Sequence, residues 1–462
     1  MLKHVDPNIL KVTNAFMYTE YPHKSFWSPN LGDEEYRSAL LELFRNEHDI
    51  PILLYVHILY CTELCYFCTC HIERATKDYN PRLKYLQMLF REIDLLKTFL
   101  DQNSLKPNIR EIHLGGGSPT DLKIAEFDKL INRLGLLVDI KGLDEFSIEI
   151  DPRHTTREML RYYHRQGINR ISMGVQDFDS EVQKAVNRVQ PIELVENLMG
   201  QETADLFPNG VNFDIICGLP HQTNETIRRT MQECIRLSPD RICLNYLHLA
   251  PEFARHQNIM SDGHQGRPDR LPDFYERKEL FVTALETLTA GGYVRTGYDH
   301  FAKRSDSVAK AMADGKMHWN ALGVTSGRYD SIIGVGAHSY STIGDYYFQN
   351  YYDLGEYKRL LDKGQFPIFR GHKQSQDDLI RRDVIQTLRN FFSIDLRSID
   401  VKYSITFEDY FQSELSGLEP FIADGLVEIR DRAIIITEKG HQFANTICYV
   451  FDRYKGMERL KF

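Results

Sequence analysis

The feature that most constrains the fold is an alternation of short, β-branched runs with helix-length amphipathic segments, which begins at Pro51. Such βα alternation predicts a parallel sheet with right-handed crossovers. Six units, with no GxGxxG or P-loop motif, favour a partial or complete barrel over a nucleotide-binding sheet. The predicted strands are Ile52–Ile58, Arg110–Leu114, Asp144–Ile150, Asn169–Gly174, Val211–Ile216 and Arg241–Leu247, and the helices between them include Pro81–Leu100, Leu122–Leu134, Thr156–Gln166 and Glu225–Leu237.

The pattern predicts three parts, an N-terminal arm at 1–48, the barrel at 49–366 and a C-terminal domain at 367–462. The arm has one predicted helix, Asp33–Asn46. The barrel ends with a surface loop at Ser261–Arg267, a helix at Asp273–Ala290 and an irregular segment to about Asp345. Two helical patterns and a hairpin predict a winged-helix-like C-terminal domain with a packing or lid role, at Gln376–Asn390, Phe407–Ala423 and Gly425–Gly440.

The composition excludes several classes of protein. The 462 residues are 42% hydrophobic and 26% charged, as in a soluble globular protein, and no apolar run reaches the roughly 18 residues that span a bilayer. The N-terminus has no uninterrupted hydrophobic stretch of a secretion signal, so a cytoplasmic location is expected. The net charge of −9 argues against non-specific nucleic-acid binding.

Four of the eight cysteines lie within ten residues, at Cys61, Cys65, Cys68 and Cys70, and have the spacing C-x3-C-x2-C-x-C. Three thiolates on such a loop can bind three irons of a four-iron cluster and leave the fourth iron open. Tetrahedral zinc is the alternative, but it usually takes four ligands from two C-x2-C pairs, and only one such pair occurs here. A buried, inert group of cysteines is a further alternative.

A glycine motif, HLGGGSPTDL at His113–Leu122, follows the second predicted strand. Three glycines let the backbone approach a ligand closely and expose N–H groups to it. A flexible turn between strand and helix is the other interpretation.

Both motifs carry a resemblance to a known family. C-x3-C-x2-C resembles the signature of the radical S-adenosylmethionine (SAM) superfamily, and GGGSPT resembles the oxygen-independent coproporphyrinogen III oxidase family within it. Further ordered matches are MYTEYP (Met17–Pro22), FSIEIDPR (Phe146–Arg153), Asn169–Arg188, DIICGLPHQT (Asp214–Thr223), NYLH (Asn245–His248), DHFA (Asp299–Ala302), IRRDVI (Ile380–Ile385) and DGLVEI (Asp424–Ile429). The resemblance implies an α/β fold, a partial TIM-like (β/α)6 radical SAM barrel with an N-terminal arm and a helical, winged-helix-like C-terminal domain.

The resemblance also implies the ligands. A [4Fe-4S] cluster would be held by Cys61, Cys65 and Cys68, with Cys70 as a companion that does not bind iron. Two SAM molecules are expected. The first would contact Tyr55, Gly116, Glu149 and Tyr340, and the second would contact Phe67, Gly117, Ser118, Gln176, Arg188, Asp214 and Leu247.

The activity implied is the oxidative decarboxylation of two propionates of coproporphyrinogen III to vinyl groups, giving protoporphyrinogen IX. In this family, reductive cleavage of SAM yields a 5′-deoxyadenosyl radical that takes a hydrogen from the propionate β-carbon. A flavodoxin or ferredoxin is expected as reductant, a tetrapyrrole as substrate, and a monomer without nucleic-acid or membrane partners.

The chain departs from the family pattern at a few positions. Met17 replaces an arginine, and His318–Thr325 stands where the family has HRNFQGYT. The small or apolar residue that follows NY is Leu247 in this chain. Cys217 replaces a tyrosine, and His71-Ile72 stands in place of Asn-Lys. These changes suggest a less charged substrate and an alternative function, a methylase, a cyclopropanase or a haem-utilisation enzyme that uses two SAM molecules. Ordinary drift with compensating residues (Lys24, Arg295 or Arg328) is another explanation. A cluster- or haem-binding module without turnover is a third hypothesis.

Overall fold

The computed structural model describes residues 3–13, 18–46, 49–251, 254–262, 271–327 and 330–457. A twelve-stranded sheet dominates the described structure, in the order β12-β11-β10-β9-β1-β2-β3-β4-β5-β6-β8-β7. Its strands are β1 Pro51–Ile58, β2 Asn108–Gly116, β3 Glu145–Ile150, β4 Arg170–Gln176, β5 Val211–Cys217, β6 Arg241–Tyr246, β7 Val294–Arg295, β8 His300–Ala302, β9 Ser331–Val335, β10 Tyr340–Ile343, β11 Tyr346–Asn350 and β12 Ile368–Lys373.

The six predicted strands are β1 to β6, which run parallel and lie side by side in chain order. The prediction of a partial (β/α)6 barrel is therefore confirmed. The helices between these strands are Asn80–Gln102, Ile124–Leu134, Arg157–Arg165, Ser180–Ala185, Ile192–Glu196, Gln201–Leu206 and Asn224–Leu237. Their apolar faces pack with the strands in one large core, whose centre includes Leu89, Ile112, Phe146, Ile171 and Phe213.

The prediction of an irregular segment between Ala290 and Asp345 is wrong. The helix before it, Phe274–Ala290, lies where expected, but four strands of the sheet, β7 to β10, and a small hairpin (His318–Asn320 with Gly323–Thr325) follow it. β9 pairs parallel with β1, and β8 pairs antiparallel with β6. These strands are two to five residues long and separated by glycines with positive φ, such as Gly297 and Gly336, so no run is long enough to show a period of two.

The C-terminal part begins at the helix Gln376–Phe391, which Ser375 caps. The expected boundary at residue 366 falls before β12, and β12 hydrogen-bonds to β11 within the large sheet. The predicted helix Phe407–Ala423 is instead three short helices, Phe407–Tyr410, Gln412–Gly417 and Glu419–Ala423, the last of which begins beside Pro420. Strands Val427–Arg430 and Ala433–Ile436 form the predicted hairpin, with positive φ at Asp431 and Arg432, and Ser393–Asp395 adds a third strand.

The N-terminal arm lies against the large sheet and the C-terminal part. Its helix Asp33–Asn46 has the predicted bounds, and shorter helices occur at Pro7–Thr13 and Lys24–Phe26. Ser28 pairs with Gly371 of β12 through mutual backbone hydrogen bonds. The described residues do not include Met17, Arg328 or most of the predicted loop Ser261–Arg267. The first residue of that loop, Ser261, belongs to the helix Asn258–Asp262. No helix in the described ranges has the length and apolar character to cross a membrane.

Candidate active site

The cysteine loop leaves the carboxyl end of β1 and is closed at its base. Tyr60–Cys61 pairs in parallel with Glu73–Arg74, so the residues between them form one loop. Within it the amide of Cys68 donates to the carbonyl of Cys65 at 3.1 Å. Neighbouring segments hold the loop from outside, because the Tyr66 amide donates to the Val186 carbonyl at 3.0 Å and the Gln257 side chain donates to the Phe67 carbonyl at 2.9 Å.

The cysteine thiols are close enough to affect one another's protonation. Burial, with Cys70 and Cys65 nearby, raises the pKa of Cys61 to about 12. The contact with Cys70, burial and the thiols of Cys65 and Cys61 raise the pKa of Cys68. Across the described ranges no three ligating side chains already surround one point. Thiols must lose their protons to bind iron. Soft thiolate donors on one loop fit an iron–sulfur cluster.

The glycine motif packs directly against the start of the cysteine loop. The amides of Gly117 and Ser118 donate to the carbonyls of Ile58 and Tyr60 at 2.6 and 2.8 Å. A Cβ on Gly117 would lie 2.7 Å from those two oxygens, and one on Gly116, where φ is +100°, would lie 2.4 Å from the His57 ring. Only glycine permits this approach at either position.

Glu149, at the carboxyl end of β3, is oriented by two donors from β2. Its Oε1 lies 3.0 Å from His113 Nε2, and its Oε2 accepts from the Gly116 amide at 3.3 Å. The other nitrogen of His113 lies 2.7 Å from the Ser147 hydroxyl. The carboxylate side chain stays 41% exposed, so it remains available to a ligand.

Arg188 and Asp151 lie beside Cys65 of the cysteine loop. Arg188 Nη1 lies 3.2 Å from Asp151 Oδ2 and 3.5 Å from the sulfur of Cys65, while Nη2 donates to the Gly174 carbonyl at 2.6 Å. Arg188 Nε is buried and makes no hydrogen bond. A buried, unsatisfied donor is costly, and a ligand carboxylate would satisfy it.

Asp214, on β5, is held by neighbours within the barrel. Its two oxygens accept from the Ser172 hydroxyl and the Asn212 amide, each at 2.8 Å. Burial raises the pKa of Asp214. The adjoining wall is apolar, because Phe67 packs against the buried group that contains Ile216 and Leu247. Gln176 ends β4 with a positive φ of 68°.

Two tyrosines face each other across the β1–β9 side of the barrel. The rings of Tyr55 and Tyr340 are 5.8 Å apart, and the Tyr55 hydroxyl lies 2.8 Å from His57 Nδ1. Burial lowers the pKa of His57 to about 4, so its ring is neutral; Nε2 donates to the His71 carbonyl at 3.0 Å and Nδ1 accepts from Tyr55. The buried Tyr340 hydroxyl has no partner, which is a second sign that a polar ligand belongs here.

The structure therefore brings the predicted residues together at the carboxyl ends of neighbouring strands, where barrels place their sites. The predicted set is Tyr55, Phe67, Gly116, Gly117, Ser118, Glu149, Gln176, Arg188, Asp214, Leu247, Tyr340 and the cysteines Cys61, Cys65 and Cys68. Sequence reasoning missed the side chains that hold them, His57, His113, Asp151, Ser172 and Asn212. Each lies two residues from a polar strand residue, and this period of two in otherwise apolar strands was the available signal.

One departure from the family pattern, the hairpin His318–Thr325, lies beside Tyr55. Leu322, from the hairpin, packs against the buried cluster of Leu53, Tyr55 and Ile332, as Tyr340 does. Arg295 is half-buried, donates to the Tyr298 carbonyl and lies over the rings of Phe281 and Phe392. Lys24 is exposed.

Comparisons with known proteins give the family. Residues 55–234 match the model of the radical SAM superfamily, and residues 374–443 match that of the HemN C-terminal domain, beginning one residue after β12 ends. The oxygen-independent coproporphyrinogen III oxidase of Pseudomonas aeruginosa is 37% identical over 95% of this chain and 93% of its own. The enzyme of that name from Escherichia coli K12 is 35% identical over 95% and 92%.

A solved structure agrees with the sequence comparisons. Coproporphyrinogen III oxidase (HemN) from Escherichia coli, a radical SAM enzyme, superimposes with a TM-score of 0.84 and 32% identity, covering 98% of this chain and 99% of that one. Proteins of this superfamily use a [4Fe-4S] cluster and SAM, and the thiols, the glycine motif and the unsatisfied donors described above fit both. The chain belongs to the oxygen-independent coproporphyrinogen III oxidase family of radical SAM oxidoreductases.

Proposed function

We propose that the protein decarboxylates two propionate side chains of coproporphyrinogen III to vinyl groups, giving protoporphyrinogen IX. The observation that carries this proposal is the full-length match to enzymes of that name together with the intact arrangement of cysteine loop, glycine motif, Glu149, Arg188 and Asp214. Each propionate would lose one hydrogen atom, one electron and carbon dioxide. The cluster and SAM, when bound, supply the radical that takes the hydrogen atom.

The proposed ligand assignments follow the family resemblance. Cys61, Cys65 and Cys68 would hold three irons, and Cys70 would not. We assign the first SAM to Tyr55, Gly116, Glu149 and Tyr340, and the second to Phe67, Gly117, Ser118, Gln176, Arg188, Asp214 and Leu247. The buried Tyr340 hydroxyl and Arg188 Nε, both without partners, support a polar ligand at each end of the site.

The protein's own groups would orient the ligands and exclude water. Arg188 Nε can donate to a carboxylate, while Asp151 and the Gly174 carbonyl keep its guanidinium in place. Glu149 can accept from an amino group, with His113 fixing its orientation. The apolar wall of Phe67, Ile216 and Leu247 would keep water from the reacting carbon.

The reductant and the oligomeric state also belong to the proposal. Thr69 and Cys70 are exposed, so a cluster in this loop would lie near the surface, within reach of a flavodoxin or ferredoxin. We expect a monomer in the cytoplasm.

Anaerobic reconstitution with iron and sulfide, followed by incubation with SAM, dithionite and coproporphyrinogen III, tests the function. We expect vinyl product, carbon dioxide and 5′-deoxyadenosine. Deoxyadenosine without vinyl product would reject this substrate and favour a methylase, cyclopropanase or haem-utilisation activity on a less charged molecule. No cleavage of SAM with any reductant or substrate would favour a binding module.

A further inference from the structure

The hairpin His318–Thr325 links the C-terminal part to the SAM pocket. Its two short strands pair antiparallel, with Trp319 opposite Val324. At its turn, Leu322 packs against the cluster of Leu53, Tyr55 and Ile332, and Tyr340 packs against the same cluster. Leu322 and Val324 also line a small cavity of about 30 Å³ inside the barrel. The hairpin therefore forms a support for the two tyrosine rings assigned to SAM.

The turn of the hairpin has a fixed conformation. The Leu322 amide donates to the Asn320 side chain at 2.8 Å. Gly323 has a φ of +119°, and a Cβ at this position would lie 3.2 Å from His300 Nε2. The glycine thus satisfies two requirements, the positive φ and the close approach of an imidazole from β8.

Trp319 fixes the first strand of the hairpin against the C-terminal helix Gln376–Phe391. The guanidinium carbon of Arg389, on that helix, lies 4.0 Å from the centre of the indole ring. The His300 ring meets the indole edge-on at 5.4 Å. Trp319 is 5% exposed, so this stack is enclosed by protein and the cation–π attraction is little screened.

Arg389 is held in place by a buried network that joins both parts of the molecule. It is fully buried, and its Nη2 lies 3.1 Å from Asp299 Oδ2, beside β8. The other oxygen of Asp299 accepts from His300 Nδ1 at 2.7 Å. Arg389 Nε donates to the Asn445 side chain, also at 3.1 Å. One guanidinium thereby contacts Asp299 and the hairpin residue Trp319 directly, and it reaches His300 through Asp299.

We infer that Arg389 is a positioning residue for SAM binding, which acts through Trp319 and the hairpin. It keeps Leu322 packed against the cluster of Leu53, Tyr55 and Ile332, on which Tyr340 also packs. The inference rests on the proposed function to the extent that Tyr55 and Tyr340 are taken as SAM contacts. It gives the C-terminal part a role in the site without any contact to SAM. Lysine cannot replace arginine here, because it lacks the planar group that stacks on the indole and forks to Asp299 and Asn445.

A double-mutant cycle on the dissociation constant for SAM tests this inference. The reconstituted full-length protein is studied by anaerobic equilibrium dialysis without reductant or porphyrinogen, and folding is followed by circular dichroism. We expect Arg389→Lys and Leu322→Ala each to raise the Kd for SAM about five- to tenfold. We expect the double variant to raise it no further than the larger single effect, since both substitutions release the same contact.

Arg381→Lys is the matched control. Arg381 lies on the same helix and pairs with Asp377 and Glu414, away from the hairpin. It should lower stability and leave the Kd for SAM unchanged. The inference is overturned if Arg389→Lys changes only the folded fraction, if Leu322→Ala leaves the Kd unchanged, or if the two effects add. Failure of the unmodified protein to bind SAM would instead contradict the proposed function on which the inference rests.

Discussion

At the scale of single residues, the site depends on which thiols bind iron. Cys65 is the most buried cysteine of the loop, and its sulfur lies 3.5 Å from Arg188 Nη1 and 3.8 Å from Arg153 Nη2. Cys70 is exposed and lies beyond the third cysteine of the motif. The two cysteines should therefore respond differently to the same substitution.

Replacing Cys65 with serine should abolish the cluster, because a hydroxyl is a poor ligand for iron in a site built from thiolates. Iron and sulfide content after anaerobic reconstitution, together with visible absorbance, measures this loss. Cys70→Ser is the matched control and should retain the full iron content. Loss of iron in the Cys70 variant, or its retention in the Cys65 variant, would show that the three ligands are wrongly assigned.

Whether a site residue could be predicted from the sequence depends on the element that carries it. Glu149 and Asp214 lie on strands that are readily predicted, and together with the family resemblance this was enough to propose them as site residues. His113 was missed because it belongs to the same strand as the glycine motif, whose glycines predict backbone contacts to a ligand and not side-chain contacts. Leu322 could not be placed from the sequence, because its position beside Tyr55 depends on the packing of a hairpin whose strands have three residues each.

At the scale of elements, the long helix Asn80–Gln102 is joined to the sheet by a buried carboxyl group. Glu92 is 2% exposed and accepts from the Gly336 amide and the Asn350 side chain, both at 2.7 Å, and from the Tyr357 hydroxyl. Burial outweighs these donors and raises the pKa of Glu92 to about 7. The folded protein therefore binds this proton more tightly than the unfolded chain does.

This raised pKa has a definite sign for stability. The stabilisation that the folded protein gains by binding the Glu92 proton more tightly is fully present below the ordinary carboxyl pKa. This stabilisation is lost as the pH rises through about 7. Between about pH 5.5 and 8.5, Glu92 should thus lower the free energy of unfolding by roughly 2 kcal/mol. Glu92→Gln should remove that part of the decline, which urea unfolding across the range can measure. Exposed Glu73→Gln is the control, and an equal slope in all three proteins would contradict the expectation.

Whether a strand could be predicted from the sequence depends on its length. β1 to β6 each have six to nine residues and alternate with helices, so their positions could be predicted from periodicity alone. β7 to β10 were missed because each is short and acquires its hydrogen bonds only from strands distant in sequence. β9, for example, pairs with β1 across more than 270 residues. Non-local pairing of this kind leaves little trace in local composition.

At the scale of the whole molecule, the N-terminal arm joins the sheet to the C-terminal part. Trp27 stacks on Tyr347 of β11 at 5.1 Å, and the Tyr21 hydroxyl accepts from the Arg453 amide at 3.1 Å. The first described residues extend this attachment, because the amides of Lys3, His4 and Val5 donate to the Asp424 carboxylate at 2.9–3.2 Å. One side chain at residue 424 thus holds the beginning of the described chain.

Asp424→Asn should release this end of the arm while leaving the barrel folded. Burial opposes ionisation, but the backbone amides and His4 outweigh it and hold the pKa of Asp424 well below its usual range. The attachment is therefore present above the ordinary carboxyl pKa and should weaken as the pH falls through the lowered one. Asparagine keeps one acceptor oxygen and loses the charge that strengthens these hydrogen bonds. In limited proteolysis at neutral pH, the arm of the Asp424→Asn variant should be cut several-fold faster than the arm of the control variant Asp409→Asn, whose substitution is at an exposed residue. Equal rates in the two variants would mean that the aromatic contacts alone hold the arm.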